Sequence, residues 1–109
     1  MDENINDWIS KKITSNDVVL FMKGTPETPQ CGFSSQVVQI LNYLGIEFSS
    51  VNVLEDESIR NGIKEYTNWP TIPQLYVKNE FIGGADIVRE MFEENELKEF
   101  LNEKGIATN

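Results

Sequence analysis

The sequence predicts an α/β fold, a four-stranded mixed sheet flanked by helices on both faces, on three observations. Val18-Val19-Leu20-Phe21-Met22 is a short unbroken run of strand-forming apolar residues, the pattern of a strand buried on both sides. Phe48 to Val53 reads as a second strand reached through an intervening helix, which makes the two strands parallel. Gln74 to Val77 and Glu80 to Ile82 bracket Lys78-Asn79, the signature of a tight antiparallel hairpin.

The remaining segments fill in the helices. Ile5, Trp8, Ile9 and Ile13 lie at helical spacing and stop at the polar Ser15-Asn16-Asp17 cluster. Residues 23–30, with one Gly and two Pro, form a loop by composition. Val37, Val38, Leu41 and Leu44 make an apolar stripe closed by Gly45. Ile59, Ile63 and Tyr66 make another. Ile87, Val88, Met91 and Phe92 define a further helix, and Leu97, Phe100 and Leu101 the last. The order α-β-α-β-α-β-β-α-α, a parallel βαβ unit followed by a hairpin, is the thioredoxin-like arrangement. With 109 residues and no repeat or linker, the expectation is one domain over residues 1–109.

Charge and cysteine content restrict the chemistry. Nine Lys and Arg stand against eighteen Asp and Glu, a net charge of −9, and there is no histidine. Such a surface repels nucleic-acid phosphates and anionic membranes, so neither is expected as a partner. Without histidine there is no imidazole general base, and the commonest metal ligand is missing. One cysteine cannot form an internal disulfide. The acidic start, Met1-Asp2-Glu3-Asn4, lacks the apolar run of a signal peptide, and no stretch approaches the roughly 20 apolar residues of a membrane span. These features point to a reducing compartment: the cytoplasm, or an organelle matrix if a transit peptide has been removed.

Cys31 is the centre of the functional reading. Cys31-Gly32-Phe33-Ser34 stands where a proline-containing loop enters a helix, so the thiol faces unpaired backbone N–H groups and the positive end of the helix dipole, both of which favour thiolate. Lys23, at the end of the preceding strand, is a second source of positive charge. A dithiol exchange cycle needs another cysteine three residues on, where this chain has Ser34. Two routes stay open. Either an external thiol resolves a mixed disulfide on Cys31, or Cys31 is a metal ligand. An iron–sulfur cluster takes about four thiolates, so two chains would supply two and two small-molecule thiols the rest.

Three further segments are candidates for holding a small thiol. Trp69-Pro70-Thr71-Ile72-Pro73 is an extended segment, either a rigid connector or, in the thioredoxin-like reading, the bearer of a cis Ile72–Pro73 bond beside the thiol. There the Ile72 backbone can pair with an extended peptide. Gly83-Gly84-Ala85-Asp86 leads into a helix; Asp86 is an N-cap or a partner for an ammonium beside a carboxylate site. Arg60 and Lys64, spaced i,i+4, are a solvated face paired with Asp56 and Glu57 or a clamp for a carboxylate.

Together Lys23-Gly24, Cys31-Gly32-Phe33-Ser34, Trp69-Pro70-Thr71-Ile72-Pro73-Gln74 and Gly83-Gly84-x-Asp86-Ile87 resemble a monothiol glutaredoxin of the CGFS class, over nearly the whole chain. The resemblance implies a glutathione site. Lys23 and Arg60 would hold the glycyl carboxylate, Ile72 would pair with the cysteinyl backbone, and Ala85-Asp86 would take the γ-glutamyl end. It implies Cys31 as the catalytic thiol and as ligand to a [2Fe–2S] cluster. The cluster would be shared by a homodimer, completed by two glutathione thiolates, and passed to iron–sulfur acceptor proteins, with BolA-like proteins as partners. Any thiol–disulfide oxidoreductase activity on glutathione mixed disulfides would be at most weak. Ala85 departs from the pattern, which usually has Cys there, and its presence removes an intramolecular partner for Cys31.

Overall fold

The structure is a computed structural model that describes residues 2–109, with side chains from Asn4 onward. Met1 and the Asp2 and Glu3 side chains, part of the acidic start noted above, lie outside the described residues. Helix α1 spans Asp2–Ser15, β1 Val18–Met22, α2 Gly32–Tyr43, β2 Ser49–Asn52, α3 Glu57–Thr67, β3 Gln74–Val77, β4 Glu80–Gly83, α4 Ala85–Glu93 and α5 Glu96–Glu103. The sheet order is β2-β1-β3-β4, with β1 parallel to β2 and antiparallel to β3. The β3–β4 hairpin turns at Lys78 and Asn79, both at positive φ (50° and 66°), as a two-residue hairpin turn requires.

Each residue of β1 is buried, and its side chains divide by alternation between two cores. Val18, Leu20 and Met22 meet Leu75 and Val77 from β3 under α2, α4 and α5, with Leu41, Val88, Leu97 and Leu101 at the centre. Val19 and Phe21 face the opposite side, with Val51 and Tyr76, under Ile9 and Ile13 of α1 and Ile63 of α3. The central strand thus contributes to both cores and fixes both helix layers. Among the described residues no helix is long and apolar enough to cross a membrane.

Three details differ from the sequence reading. The second strand stops at Asn52, because the Asn52 side chain accepts a hydrogen bond from the Leu54 N–H and turns Val53–Glu55 into one turn of 3-10 helix. Trp8, Tyr66 and Ile87, expected in apolar stripes, are exposed, whereas Ile9, Ile13 and Ile63 are buried and Ile5 and Ile59 pack partly against them. Asp86 is not the cap of α4; Gly84 is, and Asp86 falls in the first turn.

Leu41 is fully buried under the sheet. Leu41→Ala is expected to lower unfolding stability by about 2–5 kcal/mol, read as a fall in the urea midpoint.

Candidate functional site

Cys31 is the N-cap residue of α2, with extended backbone (φ −152°, ψ 136°) and a partly exposed side chain. Its thiol pKa is lowered, chiefly by the Ser34 N–H. The Phe33 N–H, the Lys23 charge and the Ser34 hydroxyl act in the same direction, and partial burial opposes them. Sγ makes no capping hydrogen bond of good geometry, so these amides act on it mainly as oriented dipoles. This is the environment of a reactive thiol, set by the loop that delivers the chain to α2.

That loop is pinned to the sheet. The Lys23 N–H donates to Ser34 Oγ (3.1 Å), the Lys23 carbonyl accepts from the Gln30 N–H (2.9 Å), and the Gly24 N–H donates to Asn52 Oδ1 (2.9 Å). Gly24 sits at φ +91°, and a Cβ there would lie 2.6 Å from both the Gln30 nitrogen and the Thr28 oxygen, so glycine is required for conformation and for space. The backbone on either side of the Lys23 ammonium is therefore held on three sides.

A cavity of about 450 Å³ opens beside the thiol. Cys31, Lys23, Lys64, Ile72, Ala85 and Asp86 are among the residues that line it. The Ile72–Pro73 bond is cis, as the thioredoxin-like reading expected. Buried Gln74 secures this wall from behind: its Nε2 donates to the Trp69 and Thr71 carbonyls, each at 3.1 Å. Asp86 is exposed and its only partner among the described residues is Arg89 at 3.5 Å, a surface pair of little strength.

Five of the six residues singled out from sequence (Cys31, Lys23, Ile72, Ala85 and Asp86) line this one cavity; Arg60 does not. Lys64, one turn further along α3, takes a place in the wall. Among the described residues neither cation pairs with Asp56 or Glu57, and Asp56 instead caps α3 through Oδ1 to the Ser58 and Ile59 N–H groups.

The family profile described as Glutaredoxin matches residues 18–82. The ycf64-like monothiol glutaredoxin of Synechocystis sp. is 59% identical over 93 residues, covering 85% of this chain and 87% of its own. The chain belongs to the monothiol glutaredoxin family. Monothiol glutaredoxin-S14 of Arabidopsis thaliana, designated chloroplastic, is 55% identical and covers 87% of this chain and 55% of its own. The solution structure of reduced poplar apo GrxS14 superposes with a TM-score of 0.80 at 52% identity, covering 91% of each chain. At 23% identity, a buckwheat glutaredoxin determined as a glutathione complex shares the fold (TM-score 0.85, 97% of this chain and 94% of that one).

In this monothiol glutaredoxin the residue at the resolving position has a different task. Ser34 is fully buried, and its hydroxyl ties α2 to the end of β1 through the Lys23 N–H. The roles of Asn52 and Gln74 escaped the sequence reading, which has Asn52 only as a strand residue and Gln74 only as a strand and motif residue. An Asn followed by a turn is a capping signal that could have revealed half of the Asn52 role; nothing local to Gln74 marks it as buried.

The direction of the Cys31 shift gives a prediction. A lowered pKa moves half-ionisation to lower pH, so the rate of iodoacetamide alkylation should rise at lower pH in the folded protein than in the urea-unfolded chain. In Lys23→Ala the curve should move back up, because one charge favouring thiolate is gone. A folded-state midpoint at or above the unfolded one would contradict the geometry.

Proposed function

We propose that this glutaredoxin, acting as one domain over residues 1–109, binds glutathione in the cavity beside Cys31. As a homodimer it carries a [2Fe–2S] cluster as cargo to iron–sulfur acceptor proteins, with BolA-like proteins as partners. The observation that carries this reading is a single thiol, favoured as thiolate, that lines one cavity together with two cations, Lys23 and Lys64, and the start of helix α4. Glutathione has the matching ends: a glycyl carboxylate for Lys23 and Lys64, with Arg60 as the outer member of that set, and a γ-glutamyl end for Ala85 and Asp86. The Ile72 backbone pairs with its cysteinyl unit.

Ligand arithmetic supports the dimer. Among the described residues no three His, Cys, Asp or Glu side chains are grouped to hold a metal, and Cys31 is the only cysteine. A cluster bound by four thiolates therefore draws two from two Cys31 residues and two from two glutathione molecules. Two of the four ligands are exchangeable small molecules, which suits release of cargo to an acceptor.

The lowered thiol pKa also favours a second reading, glutathione-dependent thiol–disulfide exchange. The Cys31 thiolate attacks the glutathione sulfur of a mixed disulfide and expels the protein thiolate, which takes a proton. A second glutathione thiolate then attacks the Cys31–glutathione disulfide, releasing oxidised glutathione and the Cys31 thiolate. Ser34 cannot resolve that disulfide from within the chain.

Anaerobic reconstitution with iron, sulfide and glutathione separates the readings. The carrier reading predicts a brown dimer with [2Fe–2S] absorption, lost in Cys31→Ser and when glutathione is omitted. A colourless monomer that rapidly turns over glutathione mixed disulfides would sink it.

A further inference from the structure

Among the described residues two polar side chains are fully buried, Ser34 and Gln74. Ser34 anchors the loop that carries Lys23. Gln74 opens β3 directly across from Phe21 of the central strand, so its backbone belongs to the most tightly packed part of the molecule. Its Oε1 is buried and, among the described residues, has no hydrogen-bond partner. That costs stability which an apolar side chain of the same length would keep. The use of the amide lies at its other end.

Nε2 donates to the Trp69 and Thr71 carbonyls, each at 3.1 Å. Two carbonyl acceptors at one end require the NH2 group there, which fixes how the amide faces. The segment it holds has few other ties. Pro70 and Pro73 have no N–H, and among the described residues no backbone–backbone hydrogen bond outside the helices and strands involves residues 70–73.

These two bonds set the direction of a third group. The peptide unit joining Thr71 to Ile72 is trans, and in a trans peptide the C=O and the N–H point opposite ways. With the Thr71 oxygen drawn to Gln74, the Ile72 N–H points away from it. Thr71 and Ile72 line the cavity, and Gln74 stands outside that lining. The Ile72 side chain is packed into the core beneath α1 and α3, so the residue cannot turn as a whole. Only its peptide plane is left to be fixed, and Gln74 fixes it.

We propose that Gln74 is a positioning residue, which orients the Thr71–Ile72 peptide so that the Ile72 N–H is free to pair with the main chain of a thiol ligand. On the glutathione reading, on which this assignment rests, that ligand group is the cysteinyl unit. Gln74 touches no ligand itself. It trades some stability of the fold for a fixed donor in the site.

Gln74→Met tests this, since it removes both N–H donors and keeps a side chain of the same length. Isotope-labelled protein is titrated with glutathione and followed by amide NMR, alongside the pH dependence of Cys31 alkylation by iodoacetamide. In wild type the Ile72 amide resonance should move as glutathione binds. In Gln74→Met the affinity should fall about 3- to 10-fold, the order of one or two lost hydrogen bonds. The Cys31 alkylation midpoint should stay at its wild-type value, because Ser34 and Asn52 still anchor the loop beside it. Wild-type affinity in folded Gln74→Met would overturn the assignment, and so would a displaced Cys31 midpoint, the mark of a general distortion. An Ile72 resonance indifferent to glutathione in wild-type protein that binds it would overturn it too, whether or not the variant folds. Wild-type protein that binds no glutathione would instead remove the glutathione reading, and this assignment with it.

Discussion

Three hydrogen bonds converge on the carboxyl end of β1, where the Lys23 N–H, the Lys23 carbonyl and the Gly24 N–H are taken up by Ser34, Gln30 and Asn52. Each contributes on the order of 1 kcal/mol, and losing a partner from a part-buried amide costs about 1–3 kcal/mol. Their structural effect is larger than those sums suggest. β1 is buried on both faces and cannot shift without disturbing both cores. Anchoring the loop to its end gives the thiol and its neighbouring cation the rigidity of the protein's centre. Loops that carry chemistry are usually mobile; here the short connection from β1 to α2 is tied at its start to Ser34 and Asn52 and closed on itself by the Gln30 N–H.

The charge distribution gives this rigidity a purpose. A net charge of −9 works against any anionic ligand, and glutathione is one. Screening limits that opposition to roughly 8 Å at physiological salt, so distant acidic residues on α4 and α5 count for little at the cavity. Lys23 and Lys64 in the cavity wall supply the positive charge that the proposed glutathione carboxylate would meet, with Asp86 as the acidic residue of the same wall. The acidic surface then keeps other polyanions away without closing the site to a small zwitterionic thiol.

Much of this was legible in the sequence, and the reasons are specific. The Val18–Met22 run reads as a central strand because both faces are apolar, and the helices read from repeats such as Ile5-Ile9-Ile13. Periodicity marks the middle of a buried face better than its edges, which is why Trp8 and Tyr66 were placed too deep. Arg60 and Lys64 share a helix side, and spacing alone could not rank them; the cavity wall includes only Lys64. The Asn52 anchor was invisible because its partner, Gly24, lies 28 residues away in the chain. Local pattern predicts elements and motifs; it does not predict which side chain from one segment satisfies or confronts another.

The central claim is that the anchored end of β1 holds the Lys23 charge against the Cys31 thiol. Asn52 uses only its oxygen as acceptor in that anchor, so Asn52→Asp preserves the bond and Asn52→Ala removes it. The measurement is the ratio of Cys31 alkylation rates by anionic iodoacetate and neutral iodoacetamide, in which the thiolate fraction cancels and the local potential remains. The account predicts a ratio about 2- to 5-fold lower in Asn52→Ala than in wild type, the size of a change of about 0.5–1 kcal/mol in a partly screened ionic contact. Equal ratios in wild type and Asn52→Ala, with both proteins folded, would contradict it.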